Sequence, residues 1–280
     1  MIKSILVCTD GSAHGTAACD FGIHLTQKLQ GQLSSLHVLD SRMLEGPLMS
    51  DISGWVGAQP FGHQLEQFRN LLQQRGESIV QAAGERAAAA GVAMTTQMKM
   101  GHPVHVILEE EAHTELIILG QKGEHADFIG DMMGSTVENV VRSSIKPCLV
   151  TPAEFKPFTK ILAAFDGSGH ASRALHEAIE MSLGLSIPLS ILTVAEDKDF
   201  DKANQITKDG LKLAQAHNCP ATHLVAKGPP YAAILEIAEK HRFDLVVTGA
   251  YGHSRIREMI LGSTTTQLIR DAEIPIMLVR

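Results

Sequence analysis

The sequence predicts an α/β protein built from two similar doubly wound domains, each a five-stranded parallel sheet of order 3-2-1-4-5 flanked by helices. Three observations predict it. Short apolar runs alternate with amphipathic helical stretches along the whole chain, the pattern that right-handed crossovers between parallel strands require. The chain also repeats itself: Lys3-Ser-Ile-Leu-Val-Cys-Thr-Asp-Gly-Ser12 aligns with Thr159-Lys-Ile-Leu-Ala-Ala-Phe-Asp-Gly-Ser168, and Glu115–Gly120 with Asp244–Gly249. Finally, 280 residues at 44% hydrophobic composition suit two domains with sizeable cores.

The elements follow in order. In the first half the strands are expected at 3–9, 32–39, 92–100, 115–120 and 147–151, and in the second at 159–165, 187–195, 221–227, 243–248 and 275–279. Further alignments pin the register of the duplication: Gly101-His-Pro103 with Gly228-Pro-Pro230, Ile107-Leu-Glu109 with Ile234-Leu-Glu236, and Lys146–Val150 with Ile274–Leu278. The domains are therefore expected at 1–152 and 159–280, with Pro152–Phe158 as linker. After the second strand, residues 41–62 form an insertion confined to the first half, followed by a long helical stretch to Ala90. Met43, Leu44, Leu48, Met49, Ile52 and the single tryptophan, Trp55, make it too apolar for a free linker. It is read either as a lid or protein-partner contact, or as a surface excursion covering its own helix.

Composition narrows the function classes. A net charge of −7 argues against a nucleic-acid backbone as the main partner. Cys8, Cys19, Cys148 and Cys219 lie far apart without metal or redox spacing and read as small core residues in a reduced compartment. The apolar run before Asp10 is too short for a signal segment or membrane span, and no other run approaches membrane length, so a cytoplasmic protein without membrane association is expected.

The stretch Gly249–Thr264 carries the densest chemistry. It follows the apolar run Phe243–Thr248 and precedes a helix read over Thr265–Ala272, with Leu268 and Ile269 inward. Gly249 and Gly252 are expected to supply positive φ and close ligand approach, while Gly262, Ser263 and Thr264 open a helix whose first N–H groups favour an anion. Gly120, Gly123, Gly134, Ser135 and Thr136 repeat this arrangement with ten intervening residues in place of nine. In a sheet of order 3-2-1-4-5 the winding reverses between strands 1 and 4, and ligands bind outside the carboxyl ends there. Asp166 and Gly249 fall on that crevice, with Val194 on its far wall. Asp166 has two readings, a contact to a ribose hydroxyl or metal and a strand-to-helix turn carboxylate; position alone does not choose between them.

The spacing Gly-x2-Gly-x9-Gly-Ser matches the signature of nucleotide-binding universal stress proteins, and both halves resemble domains of that family over essentially their full length. The resemblance implies ATP or a related adenine nucleotide as ligand, with Mg²⁺ or Mn²⁺ as companion. It also implies pairing of domains through their fifth strands, here Pro147–Thr151 against Pro275–Val279 within one chain, and leaves room for a homodimer of whole chains. Carried over by match, the ligand positions are Asp166, Val194, Gly249, Gly252, Gly262, Ser263 and Thr264, and by weaker match Asp10, Val38, Gly120, Gly123, Gly134, Ser135 and Thr136. The first-half loop departs from the pattern in carrying Glu124, Asp127 and Asp131, where the second carries Arg255 and Arg257 with Glu258. Carboxylates near a triphosphate repel by about 1 kcal/mol each at partly solvated range, so the second half is expected to bind more tightly, Lys122 offsetting part of the difference.

Fourteen histidines raise the question of a metal site, and His102, His105 and Glu109 share a helical face, but no stronger ligand cluster accompanies them. No Walker, nucleophile-elbow or dinucleotide motif is present. The expected function is a nucleotide-binding sensor or regulator without a dedicated catalytic centre. The alternatives are an interaction protein with degenerate sites and a slow ATP hydrolase.

Overall fold

The computed structural model describes residues 2–45, 61–124, 133–195, 199–250 and 262–280, with backbone alone for 44–45 and 61–65. The first half runs β1 (Ser4–Cys8), α1 (Ala13–Leu29), β2 (Gln32–Asp40), a single turn α2 (Arg42–Glu45), α3 (Phe61–Ala89), β3 (Met94–Gly101), α4 (Pro103–Glu110), β4 (Leu116–Gly120), α5 (Ser135–Ser143) and β5 (Cys148–Thr151). The second runs β6 (Ile161–Ala164), α6 (Gly169–Leu185), β7 (Leu189–Ala195), α7 (Phe200–Ala216), β8 (Ala221–Lys227), α8 (Pro230–His241), β9 (Leu245–Gly249), α9 (Ser263–Asp271) and β10 (Ile276–Val279). Of the insertion, residues 46–60 lie outside the described residues, and with them the expectation of a lid or partner contact at Trp55.

Each half has the order 3-2-1-4-5, and the two sheets join into one ten-stranded sheet, β3-β2-β1-β4-β5-β10-β9-β6-β7-β8. The joint is antiparallel, with Val150 opposite Ile276 and Cys148 opposite Leu278. It satisfies the edge that each last strand would otherwise leave open. All other described strand pairs are parallel. The carboxyl ends of the strands therefore lie on opposite edges of the sheet in the two halves.

Alternation along β1 divides the core between the faces: Ile5 and Val7 join one buried cluster and Leu6 the other. Both clusters contain residues of both halves, so each core layer is continuous across the joint. The linker is tied down. Phe158 stacks on Phe21 of α1 at 5.3 Å between ring centroids, and Phe155 meets the same ring edge-on at 4.8 Å. Duplication shows in the polar contacts too. Glu115 accepts from the backbone of Ser4 at 3.3 Å, and Asp244 accepts from Lys160 at 2.9 Å, each carboxylate fixing the start of its neighbouring first strand.

The DGS turns are built identically. Ser12 caps α1 by accepting from Gly15 N–H at 3.1 Å, and Ser168 caps α6 by accepting from Ala171 N–H at 3.1 Å. Gly11 and Gly167 take φ of +79° and +80°, which a Cβ would strain.

Candidate functional site

Where β1, β2 and β4 end, the first half encloses a cavity of about 610 Å³. Asp10, Val38, Gly120, Gly123, Gly134, Ser135 and Thr136 all line it. One wall is Pro103 and Ile107 of α4 with the start of α5; the opposite wall is Phe68, Leu71, Leu72, Arg75 and Ile79 of α3. Both follow from topology, since α4 and α5 cover one face of the sheet and α3 the other, and the cavity wraps over the strand ends between them.

The cavity has a polar end at the first turn of α5. Gly134 is the N-cap at φ −62° and makes no side-chain cap, so no side chain of the cap residue competes for the first-turn donors. Its own N–H donates to the Gln121 carbonyl at 3.2 Å, which fixes the loop after β4 against the helix start. Among the described residues, a Cβ built on Gly134 would come no nearer than 3.6 Å to a heavy atom beyond its chain neighbours. Neither backbone conformation nor packing demands glycine there, and what its hydrogen leaves open is the approach to the helix N-terminus.

The other glycines have different causes. A Cβ on Gly120 would sit 2.7 Å from His14 Cβ and 2.8 Å from the His14 carbonyl carbon, and one on Gly249 would sit 3.0 Å from His170 Cβ. The expectation that Gly249 supplies positive φ is corrected: it is not among the positive-φ glycines, and its missing side chain lets α6 press onto β9. On Gly123 a Cβ would lie 2.8 Å from Asp10 Oδ2, so that glycine makes room for the carboxylate.

Asp10 performs the turn role and retains capacity beyond it. Oδ1 accepts from Ser12 N–H at 3.0 Å and Oδ2 from Glu124 N–H at 2.7 Å, leaving each oxygen a further lone pair. Asp166 likewise accepts from Ser168 N–H at 2.9 Å, so the turn reading of this aspartate is part of its structure. Beside Asp10, burial lowers the His14 pKa below its ordinary value and the Lys122 ammonium lowers it further, against the opposing pull of Asp10.

The charge expectation for this loop changes at Glu124. Its Oε1 lies 2.6 Å from Arg75 Nη2, so a cation from α3 offsets the carboxylate that was expected to repel a triphosphate. Asp127 and Asp131 lie outside the described residues, as do Gly252, Arg255, Arg257 and Glu258. Of the first-half carboxylates, Glu124 is thus already matched by a cation.

In the second half Asp166 and Gly249 follow the adjacent parallel strands β6 and β9, and Val194 sits near the end of β7, partly buried against the core. Gly262 caps α9 without a side-chain bond, and Ser263 and Thr264 are its first residues. Leu268 and Ile269 are inward, at 0% and 1% exposure.

Two residues that sequence reasoning passed over also line the first cavity, His37 and Arg75. Arg75 lies on α3, the helix that follows the insertion. His37 sits beside Val38 and differs from its second-half equivalent, Thr193. The rings of His102 and His105 stand 5.7 Å apart, and among the described residues no three His, Cys, Asp or Glu side chains are grouped to hold a metal ion. All four cysteines are free. Burial pushes the Cys148 thiol up to about 12 and raises that of Cys8 as well, so neither offers a thiolate near neutral pH. None of the described helices is long and apolar enough to cross a membrane.

Comparison with known proteins places this geometry. The universal stress protein family model matches residues 1–152 and again 157–280. Universal stress protein Slr1230 of Synechocystis sp. is 31% identical over 287 aligned residues, covering the whole of both chains. Universal stress protein YxiE of Bacillus subtilis is 32% identical over 152 residues, 54% of this chain and 99% of its own length. The crystal structure of a universal stress protein from Archaeoglobus fulgidus superposes with a TM-score of 0.75 at 22% identity, covering 99% of this chain and 97% of that one.

Proposed function

The chain belongs to the universal stress protein family, and we propose that it is an adenine-nucleotide-binding regulator of the stress response, acting in the cytoplasm without a dedicated catalytic centre. We take residues 1–152 and 159–280 as its two nucleotide-binding units. The observation that carries the reading is Gly134, a glycine that neither φ nor packing against the described residues requires, at an uncapped helix start lining a cavity that is mostly apolar elsewhere. Such an end suits an anionic group and such a remainder a flat heterocycle.

With ATP as ligand, the phosphates would lie against Gly123 and the Gly134–Thr136 turn, Lys122 adding charge. Asp10 would take a ribose hydroxyl or a Mg²⁺ or Mn²⁺ ion through its remaining lone pairs, and Val38 would flank the base. Asp166, Val194, Gly249, Gly252, Gly262, Ser263 and Thr264 would repeat these roles in the second half. The metal would neutralise phosphate charge; no residue is assigned a step in hydrolysis.

The test is mass spectrometry of small molecules released from the purified protein, with thermal denaturation in the presence and absence of ATP–Mg²⁺. Co-purified adenine nucleotide, or a rise in midpoint that grows with ATP concentration, is the expected result. No ligand and no shift at millimolar ATP would reject the proposal. Phosphate release no faster than in a Gly134→Val variant would separate binding from hydrolysis.

A further inference from the structure

His37 lies on β2, one residue past the Cys8–Leu36 register pair, and is 9% exposed. Its Nδ1 is 2.8 Å from the Thr9 carbonyl oxygen. A carbonyl only accepts, so Nδ1 carries the proton, and in the neutral ring Nε2 is an acceptor. No described residue bonds that second nitrogen. That nitrogen is not among the sealed-off polar atoms of the described residues, and His37 lines the cavity, so a ligand there can reach it.

The strand tether does not explain the imidazole. In the second half Thr193 occupies the equivalent position and its hydroxyl donates to the Phe165 carbonyl at 2.8 Å, making the same link between first and second strands. A hydroxyl completes that link with nothing left over. Histidine makes it and keeps an additional acceptor. The ring also touches α3: a Cβ on Gly76 would fall 3.1 Å from His37 Cδ2, which sets it on the side of the sheet away from α5. With phosphates at the α5 turn and the sugar at Asp10, the group that reaches His37 is the base.

We propose that His37 is a specificity-determining residue of the first-half cavity, its Nε2 accepting a hydrogen bond from the exocyclic amine of an adenine base. A 6-oxo base would present an acceptor to an acceptor and be disfavoured. The inference rests on the nucleotide reading above and adds to it the choice of base in one half only, since Thr193 has no equivalent nitrogen.

The experiment is a solution titration of the full chain with ATP–Mg²⁺ and, separately, ITP–Mg²⁺. The Gly123 amide reports occupancy of this cavity independently of the second half, and side-chain ¹⁵N spectra of His37 report the contact. ATP is expected to bind about fivefold more tightly than ITP at this site, the size of one net hydrogen bond, and to shift the Nε2 resonance. His37→Asn retains a donor for Thr9 without the distal acceptor, and His37→Thr reproduces the second half; both are expected to bring the ratio close to one. An unmoved Nε2 resonance on ATP binding, or an ATP preference surviving in both variants, would overturn the assignment while leaving nucleotide binding intact. Absence of any Gly123 response to ATP would instead overturn the nucleotide reading of this cavity, and the assignment with it.

Discussion

Substituting Gly134 and Gly120 by alanine separates a glycine that admits ligand from one that admits a helix. At Gly134 the added methyl meets no described residue nearer than 3.6 Å, and φ of −62° suits alanine. Alanine is the poorer N-cap by about 1 kcal/mol, while the stiffer unfolded chain returns about 0.4–1 kcal/mol. Gly134→Ala should therefore unfold within about 2 °C of the parent. Its affinity for ATP at the first cavity should fall by about ten- to a hundredfold, the equivalent of one charge-assisted hydrogen bond of about 1.5–3 kcal/mol displaced from the helix start. Gly120→Ala should do the reverse to stability, because its methyl meets the His14 backbone at 2.8 Å and overpacking against main chain costs about 1–3 kcal/mol. The assays are differential scanning calorimetry and an ATP titration followed at the Gly123 amide. Unchanged affinity in Gly134→Ala, or a loss of stability as large as that of Gly120→Ala, would refute the reasoning.

Other consequences follow from contacts around the site and joint. Arg75→Ala leaves Glu124 facing the cavity without its cation, so ATP affinity there should drop about fivefold in low salt and less at high ionic strength, read by the same titration. Gln121 is 8% exposed and its Nε2 donates to the carbonyls of Ile269 and of Arg270, the latter at 3.0 Å, at the end of α9. Gln121→Ala should cost about 1–3 kcal/mol in denaturant unfolding by leaving those acceptors unmet. His24 packs against Phe155 and Phe158, and burial, reinforced by Lys28, lowers its pKa below the ordinary 6.5. The unfolded chain then binds the proton more readily, so stability is full above that value and declines as pH falls through and below it. A His24→Gln variant should show a flatter profile in calorimetry between pH 7 and 5.

The fold was legible because duplication doubled every signal. Strand 4 of the second half, Leu245–Gly249, and its first-half copy, Leu116–Gly120, each read as a buried run bounded by an acid and a glycine, and those acids turned out to fasten the neighbouring strands. The site was legible only in part. A glycine is visible in sequence, but its reason is not: Gly120 and Gly249 are fixed by histidines more than a hundred and about eighty residues away, respectively, while at Gly134 no described residue comes closer than ordinary contact distance. Such reasons depend on distances between elements, which periodicity does not encode. The same holds for Arg75, whose partner Glu124 comes from a different loop, and for His37, whose role turns on a carbonyl of the adjacent strand.

The antiparallel joint has a functional consequence for the duplication. Because β5 and β10 run in opposite directions, the two strand-end crevices open on opposite edges of one sheet, so a single ligand cannot span both. The halves are then free to diverge in what they accept, and His37 against Thr193 is a difference of that kind. They are not free to diverge in how they are held. Gln121, next to Lys122 of the first cavity, caps the end of α9, whose start is the helix turn of the second half. In the other direction Arg280 donates to the Ser143 carbonyl at the end of α5 at 3.3 Å. Each site helix is thus anchored at its far end by the opposite half, and the joint constrains both sites while leaving the side chains that face the ligand open to change.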